Sequence, residues 1–399
     1  MNQSTRILTK LTLIPLNFLY RATFLFTKEK TVWEIKKEQQ QALSIKWGAI
    51  QSKTNGPYIN FQKEKELIHR IRKETEEKNK NNITRTSAYL SFFKKHPEIH
   101  WSFLAHMVSR NAGYFMTDLK GEFLSHILEE GFSRQLYDVI EKGNSIIFQD
   151  AYPQLLIYEE SKKRQKPLFF LCKYFNISPF MEGVWDLFFQ SDRSPLLQTA
   201  LIINEQSHIE ELLIKTDEFQ ALIRQLSYRL QQWLHLSQIL FPVFPFKKTT
   251  GKTMQNFEKL EKRIALGQNL YILLFHSDHF DSVFQFACDF PHTGSRSDYD
   301  PEVFTHQPLT KAIFKEKLSL FKTKNHQKLY SPSWKDAWDQ TYDGPFSPSN
   351  WFTEESKVWP KIRLVKKTSS HVWMAYWAGL HKMETAYLLK HYSRLFKKK

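Results

Sequence analysis

Three times in its first half the chain sets a proline at the mouth of an apolar run. His96-Pro97-Glu98, Ser178-Pro179 and Ser194-Pro195 each precede residues that repeat apolar side chains at helical spacing. Proline suits the first helical position, where its missing N–H has no acceptor to lose, and an acid in the first turn suits the helix dipole. Read with this punctuation, the pattern predicts helices over 60–80, 84–95, from His96 onward, up to Gly131, 133–143, 145–165, 167–175, 179–190, 195–214, 218–240, 254–275, 277–289, 309–321 and 370–395. No stretch alternates well enough to predict a sheet, and no repeat recurs at solenoid periods. The expected fold class is therefore all-α, an irregular multi-helix bundle with no significant sheet.

A chain of 399 residues is long enough to bury a large core as one domain or two. The segment FPVFPFKKTTGKT (241–253) is the strongest internal boundary signal. We expect a basic apolar arm at 1–45, a helical domain at 46–240, and a second at 254–399 packed on the first. Only Cys172 and Cys288 are present, too few for a disulfide framework or a zinc site. That usage fits a reducing compartment, so a cytoplasmic location is expected.

The net charge of +16 is unevenly spread. Residues 1–80 hold 16 Lys/Arg against 8 Asp/Glu, residues 311–399 hold 18 against 7, and the middle holds 23 against 26. The basic excess thus lies at the two ends. Basic ends suit anionic membrane surfaces or non-specific nucleic-acid contact, and equally suit solvated lysine tails. At the N-terminus, RILTKLTLIPLNFLYRATFLF is apolar and flanked by Arg6, Lys10, Arg21 and Lys28. Its run between Lys10 and Arg21 is about half what a bilayer needs, Pro15 interrupts it, and it lacks a small-residue cleavage site. Residues 6–28 read either as an arm docked on the body's own core or as an interfacial anchor for an anionic membrane surface.

Complete catalytic motifs are missing. TGKT (250–253) lacks the earlier glycine of a P-loop, since position 246 is Phe. The stretch 275–300 gathers His276, Asp278, His279, Asp281, Cys288, Asp289 and His292, but at no zinc or calcium spacing. It reads as a solvated helix followed by a polar loop.

The informative residues are polar side chains that interrupt apolar helical arcs. At about 100° per residue from Ile99, His100 and Asn111 fall inside the arc of Phe103, Met107, Leu104 and Val108, with His106 and Arg110 one turn apart at its edge. Glu205 falls inside the arc of Leu201, Ile202, Ile209 and Leu212, and Glu384 inside that of Tyr376, Leu380, Met383 and Tyr387. Glu159 borders another arc. A carboxylate buried alone costs several kcal/mol, so each must be paired, hydrogen-bonded, protonated or metal-bound. Arg85, Arg110, His100, His208 and His381 are the candidate partners.

The blocks NNITRTSAYLSFFKKHPEIHWSFLAHMVSRNAGYFMTDLKG (81–121), FQDAYPQLLIYEES (148–161) and HVWMAYWAGLHKMETAYLL (371–389) resemble a family of uncharacterised proteins from Bacillus-type bacteria. The resemblance spans residues 80–390 and leaves out the arm. It implies an intracellular bacterial protein and transfers no activity.

The leading expectation is a non-catalytic intracellular scaffold or interaction protein, peripheral to the membrane through its arm. The alternative is an enzyme using His100, His106, Arg110, Asn111, Glu159, Glu205 and Glu384 as a buried acid/base site. Non-specific nucleic-acid binding through the basic ends is a third. No cofactor is expected. A divalent metal is the weaker variant, on Glu205, His208, His381 and Glu384, because only Glu205/His208 has the forward Glu-x-x-His order.

Overall fold

A computed structural model describes residues 30–52, 61–190, 195–224, 238–243, 248–253, 256–308, 316–319, 322–324, 327–338, 351–366 and 372–396. The candidate membrane segment 6–28 and the predicted helical stretches 225–237 and 309–315 lie outside these residues.

Strand β1 (Lys30–Glu34) leads into helices α1 (Lys37–Ser52), α2 (Phe61–Lys78), α3 (Asn82–Lys95), α4 (His100–Asp118) and the short α5 (Leu124–Ile127). Helix α6 (Glu130–Arg164) is the longest, followed by a 3-10 turn (Phe169–Phe175), α7 (Pro179–Gln190) and α8 (Leu196–Ile209). The latter passes into one π-helical turn (Glu210–Ile214) before α9 (Asp217–Arg224). Strands β2 (Gln238–Val243) and β3 (Lys248–Thr253) precede α10 (Leu260–Phe275) and α11 (Phe280–Asp289). The remainder carries the short strands β4 (Phe304–Thr305), β5 (Leu318–Ser319), β6 (Lys322–Thr323) and β7 (Leu329–Tyr330), the short α12 (Trp334–Ala337), strand β8 (Arg363–Lys366) and α13 (Val372–Phe396). The strands make only two-stranded pairs: β1 with β8, β2 with β3, β4 with β7 and β5 with β6. The fold is all-α and irregular, as the periodicity predicts.

Three local expectations need correction. Helix α3 is capped by Asn81, whose side chain accepts from Thr84 N, while Thr84 Oγ1 accepts from Asn81 N. Thr84 is therefore the third residue of a capping box and not its cap. Helices predicted at 133–143 and 145–165 are one helix, α6, which runs straight through Gly131, Gly143 and Pro153. Glycine reads as a stop because it favours C-caps. At Gly143 it serves close approach instead: a Cβ there would stand 3.3 Å from Leu213 of the π-helical turn and 3.5 Å from Ile209 at the end of α8. Lastly, residues 238–240 and 318–319, expected to be helical, lie on β2 and β5, and TGKT lies on β3, where a Cβ on Gly251 would stand 2.0 Å from the Ile239 carbonyl across the pair.

One continuous apolar core draws on residues from Ile35 to Tyr387. Trp47 of α1 is fully buried among Phe180, Phe352 and Trp359, and its indole N–H donates to the Phe180 carbonyl at 3.1 Å. Antiparallel β1–β8 pairing further ties the first described residues to the segment before α13. Of the stretch 241–253, read from sequence as a boundary, residues 241–243 and 248–253 belong to the β2–β3 pair. Among the described residues, no helix is long and apolar enough to cross a membrane.

Candidate functional site

Helix α4 places His106, Arg110, Tyr114 and Asp118 four residues apart, so they form one stripe along its length. Against this stripe lies the polar segment 291–300, which follows α11, with α3 on the flank. His106 Nδ1 stands 2.8 Å from the Thr86 carbonyl of α3. Because a carbonyl only accepts, Nδ1 carries the proton and the ring is the neutral Nδ1–H tautomer. Burial, then the Arg110 charge, push the His106 pKa down to about 3.

Arg110 donates from Nε to the Tyr114 hydroxyl at 2.7 Å and from one Nη to the Pro291 carbonyl at 3.3 Å. Its guanidinium lies over the Phe286 ring, 4.3 Å from the centroid. Asp298 is its nearest carboxylate partner, at 3.6 Å. That carboxylate accepts from Tyr114 OH at 3.2 Å, Thr293 N at 2.9 Å and Thr293 Oγ1 at 2.5 Å. Burial would raise the Asp298 pKa, but His292, Arg110 and Thr293 together hold it below the usual carboxylate range.

His292 completes the flank. Its Nε2–H donates to Asn82 Oδ1 at 2.8 Å, and the Asn82 amide donates to the Ser109 carbonyl of α4. Burial pushes its pKa down to about 4. Gly113 makes this approach possible, since a Cβ there would stand 2.4 Å from both Asn82 Oδ1 and His292 Nε2. At the far end of the stripe Asp118 pairs with Arg296 and accepts from Ser331 Oγ at 3.2 Å. Arg296 in turn donates to Tyr299 OH at 2.8 Å, beside the Tyr376 hydroxyl.

The other expected site residues go elsewhere. His100 stacks on Phe275 at 4.2 Å and meets Tyr271 OH at 3.2 Å; burial lowers its pKa to about 4. Asn111 pairs with the Leu240 backbone in both directions at 2.8 Å, as a neighbouring strand would. Glu159 faces His96 at 3.5 Å and Lys95 at 3.2 Å, and those contacts, His96 foremost, hold its pKa down at about 2. Glu205 accepts from the Trp101 indole at 3.0 Å and from Gln206 at 3.2 Å, and burial raises its pKa to about 7. Glu384 accepts from the backbone N–H groups of Lys317 and Leu318, the latter at 2.8 Å. Of the seven, only His106 and Arg110 share a stripe beside one loop. The rest meet partners on different elements.

The residues weighed as metal ligands also separate. His208 stands 3.1 Å from Asp150, whose second oxygen accepts amide bonds from Gln154 at 2.8 Å and Asn204 at 2.5 Å. Among the described residues, no group of three or more His, Cys, Asp and Glu side chains is placed to hold a metal ion. Arg85, expected to serve one of the arc carboxylates, pairs with Glu141 instead.

Glu205 carries a pH signature. Its folded pKa of about 7 exceeds the ordinary glutamate value of 4.5, so the folded state binds more protons between these limits and stability falls as pH rises through them. Glu205→Gln is expected to be about 2 kcal/mol more stabilising at pH 8 than at pH 5. That is below the full shift because the residue keeps some solvent exposure. Urea unfolding at both pH values checks it; an equal effect at both removes the assignment.

Sequence reasoning missed Asp298 and Arg296 as partners of α4. The loop PHTGSRSDYD (291–300) was dense in polar side chains, but nothing local says which helix it covers.

Residues 77–372 match the family model described as "Protein of unknown function (DUF2515)". The chain is also 41% identical over 240 residues to "Uncharacterized protein YppC" of Bacillus subtilis (strain 168), a match covering 59% of this chain and 74% of that one. No solved structure matches. The matched region holds the stripe of α4, its partners on α3 and the whole of 291–300, and the chain belongs to the DUF2515 family, whose function is unknown.

Proposed function

We propose that this chain is a non-catalytic helical scaffold, an interaction protein held at an anionic membrane surface by residues 6–28. One observation carries the reading: five of the seven polar residues expected to form a buried reactive site meet partners on separate elements. Asn111 completes a strand edge, Glu384 receives two backbone amides, His100 stacks on Phe275, and Glu159 and Glu205 each hold their own donors. Used in this way, such groups fix how helices, strands and loops register against one another. The membrane part rests on the sequence of residues 6–28, apolar with Arg6, Lys10, Arg21 and Lys28 as flanks.

Vesicle flotation tests the membrane part. The full chain is expected to float with phosphatidylglycerol vesicles, to lose about tenfold in affinity as salt rises from 0.05 to 0.5 M, and to ignore neutral vesicles. A chain lacking residues 1–29 is expected to stay unbound. The cut falls there because β1 pairs with β8 and the residues after it place Ile35, Leu43 and Trp47 in the core. Failure of the full chain to float ends the membrane assignment.

A further inference from the structure

Among the described residues, Arg110 Nη1 and His106 Nε2 are buried atoms without a hydrogen-bond partner. Their residues are 1% and 2% exposed and sit one turn apart on the same stripe, with Cβ atoms about 6 Å apart. The two atoms differ in kind. Arg110 Nη1 offers N–H donors. His106 Nε2 offers a lone pair, because the Thr86 carbonyl fixes the proton on Nδ1.

The charge of Arg110 is also incompletely met. Its contact with Asp298, 3.6 Å, is longer than a hydrogen bond. That carboxylate is already committed to Thr293 and Tyr114. Aromatic rings flank both groups: Phe103 lies parallel to the His106 ring at 6.0 Å, and Phe286 lies under the guanidinium. Free guanidinium N–H groups and a fixed imidazole lone pair, one turn apart on α4, ask for a ligand with an anionic oxygen for the first and an O–H for the second.

We propose that His106 and Arg110 form a binding site for a small free oxyanion that carries a proton, of the hydrogen phosphate or hydrogen carbonate class. The anionic oxygens accept from Arg110, and the ligand's hydroxyl donates to His106 Nε2. Sulfate, which has the same shape but no proton at neutral pH, would set its lone pair against that of the imidazole. Burial of both side chains selects the free anion over a phosphorylated chain or a lipid headgroup. The proposal stands apart from the scaffold reading and from the membrane arm.

Calorimetric titration of the full chain at pH 7 and constant ionic strength tests it, using inorganic phosphate, sulfate and a phosphoserine peptide. Phosphate is expected to bind at least about tenfold more tightly than sulfate, the difference made by one buried hydrogen bond. The peptide is expected not to bind. His106→Phe keeps a ring beside Phe103 but removes the acceptor, and should bring phosphate and sulfate within about twofold of each other. Arg110→Lys should weaken both anions, since lysine lacks the planar fork. If either variant fails to fold, the nitrogen-15 resonance of His106 Nε2 in the unaltered chain still decides: it should move on adding phosphate and stay on adding sulfate. No saturable phosphate binding, equal affinity for sulfate, or peptide binding as tight as phosphate would each overturn the site.

Discussion

Arg85→Met is expected to lower unfolding free energy by about 3–5 kcal/mol, because it strands the buried Glu141 carboxylate. The two side chains are 1% and 2% exposed and directly paired. Arg85 also donates to the Asn79 carbonyl and side-chain oxygen, each at 3.1 Å, so it joins the turn before α3 to the first half of α6. Burial raises the Glu141 pKa even against the pull of Arg85. Once the guanidinium is gone, Glu141 can relieve its position by taking a proton, and the loss should shrink at pH 5 relative to pH 8. The double variant Arg85→Met/Glu141→Leu buries neither charge and should recover most of the loss. Urea unfolding of both single variants and the double measures the coupling. Simple addition of the single losses would show that the pair is not a unit.

The same pair illustrates what one sequence could and could not say. Arg85 is recognisable as a buried cation because its neighbours Ala88, Tyr89 and Phe92 mark the core face of α3. Its partner is not recognisable, since Glu141 lies 56 residues away on a helix whose sequence pattern ends at Gly143. Helix punctuation was legible at α7, which starts at Pro179, because that chemistry is local, whereas α4 starts at His100, three residues past Pro97, with no side-chain cap. Gly143 misled at α6, because the demand on it came from Leu213 and Ile209 outside that helix. Burial was legible too: the arc positions of Asn111, Glu205 and Glu384 marked groups that needed partners. What those groups meet depends on contacts more than 60 residues apart, including a strand edge for Asn111 and backbone amides for Glu384. Periodicity reports which face is apolar and carries no information on what covers it.

Asp298 shows how much then hangs on a contact that periodicity cannot see. Its carboxylate holds the turn through Thr293 and binds the turn to α4 through Tyr114 and Arg110. Asp298→Ala is expected to cost about 3–5 kcal/mol, since it frees two loop donors and leaves a buried guanidinium without its carboxylate. The loss should be local first. Hydrogen exchange at the Thr293 amide should quicken before that of α6, because that amide loses its acceptor. The pH dependence has a definite sign. The folded pKa of Asp298 lies below its ordinary value of 3.8, so its contribution is complete above that value and is lost as pH falls through the lower, folded one. The stability gap between the unaltered chain and Asp298→Ala should therefore be constant from pH 7 to 5 and narrow below about pH 4. A gap that holds unchanged down to pH 3 would show that packing, and not the ionised carboxylate, secures residues 291–300 against α4.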